Sequence, residues 1–220
     1  MQLSAVTLAR LFVFIEPVDL NPRGRVHYPD LATALVERYG FLKFPQKAED
    51  FDESKGIMFE DGKLGEIGNI SVQVWSYGII VDTASSTDDS EKVFEDALSW
   101  GVKTLGLSYK PAMAKRKTYV SQLTFHSDVN LENLHPAFSK LCKRLTTRVP
   151  QFFGQSLAYT PTILFVGVDQ TSIKAVPAAF TIERRAETPF SENKYFSTAP
   201  LPTEEHITFL KAFEADILSP

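Results

Sequence analysis

Apolar residues run without a break from Leu11 to Ile15, and the stretch Leu8 to Ile15 reads as a strand apolar on both faces, hence central in its sheet. Tyr28, Leu31, Ala32, Leu35 and Tyr39 recur at helical spacing, which predicts a helix over 28–39 that Gly40 ends. Ile57 to Glu60 predicts a short strand before an Asp61-Gly62 turn. From 70 to 75 the pattern changes to strict alternation: Ile70, Val72 and Val74 point one way, Ser71, Gln73 and Trp75 the other. Ile79 to Thr83 completes a hairpin with that strand. Thr87 is placed to cap a helix whose first turn carries Asp88 and Asp89, where carboxylates suit the positive end of the helix dipole. Its buried stripe is Val93, Phe94, Ala97 and Leu98.

The second half repeats this order. Ser108 to Thr118 has linker composition, with Pro111, small residues and Lys115-Arg116-Lys117. Tyr119 to His126 is predicted as a strand. A helix over 131–148 follows, with Leu131, Leu134, Phe138, Leu141 and Leu145 on one face and Pro150 as its stop. Strands are predicted at Thr162–Val168, Ile173–Val176, Ala179–Arg184 and Tyr195–Thr198. Thr203, followed by Glu204 and Glu205, caps a last helix bearing Ile207, Leu210, Phe213 and Ile217.

Local sequence echoes the shared order. The segment Asp82 to Ala97 returns in outline as Ser197 to Phe213, and Ile15 to Leu20 has a counterpart in His126 to Leu131. The expected fold class is therefore α+β: a pseudo-two-fold duplication of a β-α-β-β-β-α unit, with an antiparallel-rich sheet and helices packed on one face. The expected organisation is a single domain over 1–220, made of repeats at about 1–107 and 118–220 joined by a 108–117 linker. The outline is similar to saddle-like and helix-grip architectures, a likeness of fold that implies no function.

Composition narrows the class without naming an activity. The 220 residues are 44% apolar and 23% charged, values of an ordinary globular chain. The 17 Phe, 7 Tyr and 2 Trp fall mostly in periodic segments and are assigned to the core. Cys142 is the only cysteine, which excludes an internal disulfide and suits a reducing compartment. No apolar run approaches the roughly 20 residues of a spanning helix, so the expectation is a soluble cytoplasmic protein without membrane contact.

The net charge of −4 hides an asymmetry. Residues 1–106 hold 10 Lys+Arg and 17 Asp+Glu, whereas residues 107–220 hold 13 and 10. Residues 110–148 alone hold eight basic residues against Asp128 and Glu132.

Motifs of catalysis are missing. His27, His126, His135 and His206 form no metal-ligand spacing with each other or with Cys142. Asp50 to Asp61 departs from a calcium loop, with Lys55 where glycine is needed and Asp61 where glutamate is needed. Gly62, Gly65 and Gly68 precede a strand rather than a helix, so they build no phosphate cradle and read as a flexible connection. Cys142, on the apolar stripe of its helix, reads as a buried structural cysteine. No catalytic residue, cofactor or metal site is assigned.

Binding candidates remain. Lys140, Lys143, Arg144 and Arg148 are placed on the helix face opposite Leu141 and Leu145, and Lys115, Arg116 and Lys117 precede the same unit. Such a surface suits phosphate or an acidic protein, including the acidic first half of a second copy. Arg184 and Arg185 leave a strand into a loop with Phe190, Asn193 and Tyr195, a mixture found at interfaces. The leading reading is a non-catalytic interaction protein in a homo- or hetero-oligomer. The alternatives are a nucleic-acid-binding module using the 110–148 basic patch and an enzyme with a dispersed site.

Overall fold

The computed structural model describes residues 1–21, 27–130, 134–169, 171 and 176–218. Eight strands form one sheet: β1 (Gln2–Phe14), β2 (Ile57–Leu64), β3 (Ile67–Trp75), β4 (Gly78–Thr83), β5 (Arg116–His126), β6 (Ile163–Val166), β7 (Phe180–Arg184) and β8 (Lys194–Ala199). The helices are α1 (Tyr28–Tyr39), α2 (Thr87–Thr104), α3 (Pro136–Arg148), the short α4 (Pro150–Phe153) and α5 (Thr203–Leu218). The strand order is β2-β3-β4-β1-β5-β8-β7-β6. Matching β5 to β1, β6 to β2, β7 to β3 and β8 to β4 makes that order read the same from either edge. The fold is thus a duplicated β-α-β-β-β-α unit with an antiparallel sheet and helices on one face.

By compactness the chain divides into a first unit, Val6–Ser121 with Pro200–Glu204, and a second, Met1–Ala5 with Gln122–Ala199 and Glu205–Pro220. In the first, Leu11 and Val13 of β1, and Ile15 just after it, point inward with Ile70, Val72 and Val74 of β3. Leu35 and Tyr39 of α1 and Val93, Phe94 and Leu98 of α2 close that core. Each such side chain contributes about 1.5–3 kcal/mol through removal from water. Gly40, in the left-handed region at φ 62°, ends α1 as its spacing predicts.

In the second unit the core is Leu123, Phe125, Val129, Ile182, Tyr195 and Leu210, with the Phe125 and Tyr195 rings stacked at 5.7 Å. Glu214 ties its loop down, accepting from Ser127 Oγ at 2.5 Å and the Asp128 amide at 2.9 Å. The α-amino group of Met1 ion-pairs with the same carboxylate.

Several local expectations are corrected. Asp61-Gly62 is not a turn: β2 runs on to Leu64, its register shifts around Gly62, and the β2–β3 reversal falls at Gly65 and Glu66. A Cβ on Gly62 would lie 2.4 Å from the Phe41 ring, so this glycine admits an aromatic neighbour. Helix α3 starts at Pro136 rather than 131, because the His135 side chain accepts from the Ala137 amide and sets the start there. Pro150 does not simply stop the chain; it opens α4, where its missing N–H costs nothing. Leu131 and the Ile173–Lys174–Ala175 part of the expected 173–176 strand lie outside the described residues, as does Pro22–Arg25 of the first loop. The Val18 and Val129 echo fails in packing: Val18 is exposed and Val129 buried.

Candidate interaction surface

The echo at Thr87 and Thr203 has a structural basis, though not as two separate caps. Ser86 is the N-cap of α2, its Oγ accepting from the Asp89 amide at 3.1 Å. Thr87 and Thr203, both buried, serve each other: the Thr87 amide donates to Thr203 Oγ1 and the Thr203 amide to Thr87 Oγ1, each at 3.0 Å. Orphan donors at two helix starts are thereby satisfied by exchange.

Three residues after each threonine stands a polar side chain with no solvent exposure, Ser90 in α2 and His206 in α5. Ser90 Oγ donates to the Ala9 carbonyl at 2.7 Å. Ser197 Oγ donates to the Thr181 carbonyl at 2.7 Å. That hydroxyl's one proton is then used, so His206 Nε2, 2.9 Å from Ser197 Oγ, carries its own proton and donates to it. Burial lowers the His206 pKa to about 4, and the ring is neutral. The Ser–His pair resembles a nucleophile with its base, but it is sealed from solvent and its hydroxyl proton points at a backbone carbonyl. It pins α5 to the sheet and has no substrate access.

Other chemistry is equally bound in structure. Among the described residues no three His, Cys, Asp or Glu side chains converge as a metal site. The cavity of about 80 Å³ under α1 and α2 is lined by Leu35, Val72, Phe94, Trp100 and further, mostly apolar residues, with Tyr28 contributing a hydroxyl group.

The sequence-assigned basic residues separate into two sets. Lys115 pairs with Glu16 at 3.4 Å, and Lys117 with Glu91 and Glu95 at 3.1 and 3.7 Å. Arg116 lies 4.1 Å over the Phe14 ring. All three belong to the first unit, and local partners hold them. Arg184 is a structural residue of the second unit. Its Nη2 donates to Asn130 Oδ1 at 2.9 Å, its Nη1 to the Phe190 carbonyl at 2.8 Å, and its guanidinium stacks on Phe190 and Tyr195. Arg185 is exposed, 6.0 Å from the Phe196 ring centre.

Helix α3 is different. Its inward residues are Ser139, Cys142, Thr146 and Val149, of which only Cys142 is buried. The expected core stripe is instead on the outside: Phe138 is 48% exposed, Leu141 53% and Leu145 36%, and Phe152 beyond them 78%. At 3.6 residues per turn the stripe is rotated about a quarter-turn from the line through Cys142. The cations are not all opposite the leucines either. Lys143 is, but Arg144 and Arg148 stand three residues on from Leu141 and Leu145 and border the apolar stripe. Lys140, one turn before Arg144, extends that border, and Arg148 covers the Phe152 ring at 5.5 Å. The counterpart helix in the first half, α1, buries Ala32, Leu35 and Tyr39. Strand β6, at an end of the sheet, also exposes Ile163, Phe165 and Val166.

An aromatic grouping, half-buried except for the exposed Tyr77, lies on the sheet face away from the helices in the first unit. Phe12 and Phe14 are 4.2 Å apart, with Tyr77 5.9 Å from Phe12 and 6.0 Å from Trp75. Gly78 makes room for Phe12, since a Cβ there would fall 2.2 Å from its ring. Arg10 on this face donates to the two carboxylate oxygens of Asp82 at 2.8 and 2.7 Å and is neutralised by it.

In comparisons with known proteins, no family model matches this chain, and no curated protein matches it. Among solved structures, Methanococcus jannaschii TBP is similar, at 12% identity over 98% of each chain with a TM-score of 0.49. A likeness at that score carries no argument about function. No described helix is long and apolar enough to cross a membrane.

Proposed function

We propose that this is a non-catalytic interaction protein that works as a subunit of an assembly, with α3 as its contact surface. The observation that carries this reading is the exposure of Phe138, Leu141 and Leu145 in a row, bordered by Arg144 and Arg148. A contiguous apolar stripe with a charged rim has the composition of an interface whose centre is dry and whose edge is polar. Residues 136–148 contain no acidic side chain, so the preferred partner is an acidic protein surface. Reversal of Lys140 and Arg144 to Glu is expected to break the assembly in sedimentation velocity while leaving thermal unfolding nearly unchanged, because exposed charges contribute little to folding. Unaltered assembly would refute the reading.

Nucleic-acid binding is the second reading. It draws on the same cations and on Tyr77, the exposed ring of the Phe12, Phe14, Trp75 and Tyr77 cluster, since exposed aromatics stack on bases. It requires binding to an oligonucleotide that falls steeply with salt, by a log–log slope of about −0.7 per phosphate neutralised on a single strand. Salt-insensitive or absent binding sets it aside.

A further inference from the structure

Resting on the interaction reading above, we propose that the α3 stripe docks into a groove on the first unit of a second copy of this chain, giving a head-to-tail assembly. The groove runs between the outer face of α1 and the segment 44–51 and holds about 610 Å³. Pro29, Val36, Phe44, Pro45 and Phe51 line it, and Glu37 is the charged residue on its wall. Apolar floor and acidic rim are the complement of α3, which offers apolar anchors and a cationic border.

Two features select this occupant. The anchors Phe138, Leu141 and Leu145 stand at i, i+3 and i+7, the spacing with which one helix face fills a groove. Charge then chooses the partner. The segment closing the groove continues as Glu49, Asp50, Asp52 and Glu53. Lys47 pairs with Glu49 and Lys55 with Asp52, while Lys43 pairs with Glu60 and Asp61, which leaves Glu37, Asp50 and Glu53 as the carboxylates of this rim outside any ion pair among the described residues. Lys140 and Arg144 have no carboxylate within ion-pair distance among the described residues, so they can meet that rim without first breaking an ion pair, whereas Arg148 already donates to Gln151 Oε1 at 2.9 Å and covers Phe152. Donor helix and acceptor groove are different surfaces of one chain. The contact is therefore heterologous, and each copy added presents another helix and another groove until a ring closes.

A charge-swap test reads this directly. Wild-type protein is expected to associate with rising concentration in sedimentation velocity, and less at high salt. Glu37→Lys places a cation against Arg144 of the next copy, and Arg144→Glu places a carboxylate against Glu37. Either variant alone should raise the dissociation constant by about tenfold or more. Mixing the two variants restores both pairings, an intact helix on an intact groove and a swapped helix on a swapped groove. Association should therefore return in the mixture, which a merely structural role for either residue would not produce. Circular dichroism melts of the two variants confirm that each is folded. If wild type associates and the Lys140 and Arg144 reversal dissolves it, but Glu37→Lys has no effect, the groove is wrong and interaction through α3 stands. If the α3 reversal itself has no effect, both fall. A wild type that stays monomeric at its highest soluble concentration overturns the second copy as occupant.

Discussion

Acidification should unfasten α5 before it affects the rest of the chain. His206 is sealed from solvent and spends its one ring proton on Ser197, and burial disfavours the charged ring. Its pKa falls from 6.5 to about 4. The unfolded chain therefore binds a proton between those values that the folded chain refuses. Stability on this account is whole above pH 6.5, declines as the pH falls from 6.5 to 4, and is lost by pH 4. At roughly 1.4 kcal/mol per pH unit the loss is about 3 kcal/mol, a large fraction of the stability of an ordinary domain. Urea unfolding at a series of pH values measures it, with His206→Gln as the reference. The variant should be less stable at pH 7 and nearly flat between 6.5 and 4.5, whereas the wild type slopes. Glu214 and Asp96, held below the usual carboxylate range by hydrogen bonds and ion pairs that outweigh their burial, lose their contributions at lower pH in both proteins, so subtraction removes them. An NMR titration supplies the direct check. A His206 ring signal that titrates near pH 6.5 in the folded protein would refute the reasoning, as would parallel pH profiles for the two proteins.

Thr87→Val and Thr203→Val should each cost about 1–2 kcal/mol in denaturant unfolding, because each removes the acceptor of the other residue's buried amide while keeping the side-chain shape. Losses near zero for both would mean the exchange is not made. Leu141→Ala and Leu145→Ala should each cost under about 1 kcal/mol in dilute solution, where no partner covers them; a loss of about 2–5 kcal/mol would show that both are core after all.

The element order of both halves was legible because it is written in periodicity, which local backbone geometry enforces whatever packs above it. The β3 alternation from Ile70 to Val74 became three inward side chains, and the α2 stripe became core. Turn placement was less legible. Asp61-Gly62 has turn composition, yet Asp61 at φ 60° serves a bulge, and the reversal waits for Gly65 at φ 59°. Both sites need a left-handed residue, and dipeptide composition cannot say which one reverses the chain. The cap at Thr87 was displaced by one residue for a related reason: Ser86 and Thr87 are both competent, and only a distant residue, Thr203, decides that Thr87 is used elsewhere. His206 carried no signal at all. A lone histidine in an amphipathic helix becomes informative only once Ser197 and Thr181 stand beside it.

The error at α3 is the instructive one. Periodicity reports that Phe138, Leu141 and Leu145 share a face; it does not report which surface that face meets. In α1 the same kind of stripe meets its own sheet and buries Ala32, Leu35 and Tyr39. In α3 small and polar residues, Ser139, Cys142 and Thr146, take the inward side, and the large apolar residues turn outward. Two copies of one plan have thus been finished differently: one closes its own core, and the other keeps an apolar face in water. Exposure of three large apolar side chains on one helix lowers no energy in the isolated chain. It becomes favourable when a second surface removes them from water, at roughly 25 cal/mol per Å². The cations beside them orient that encounter. On the interaction proposed above, the divergence of α3 from α1 marks the place where a duplicated fold exchanges part of its own core for a contact with another chain.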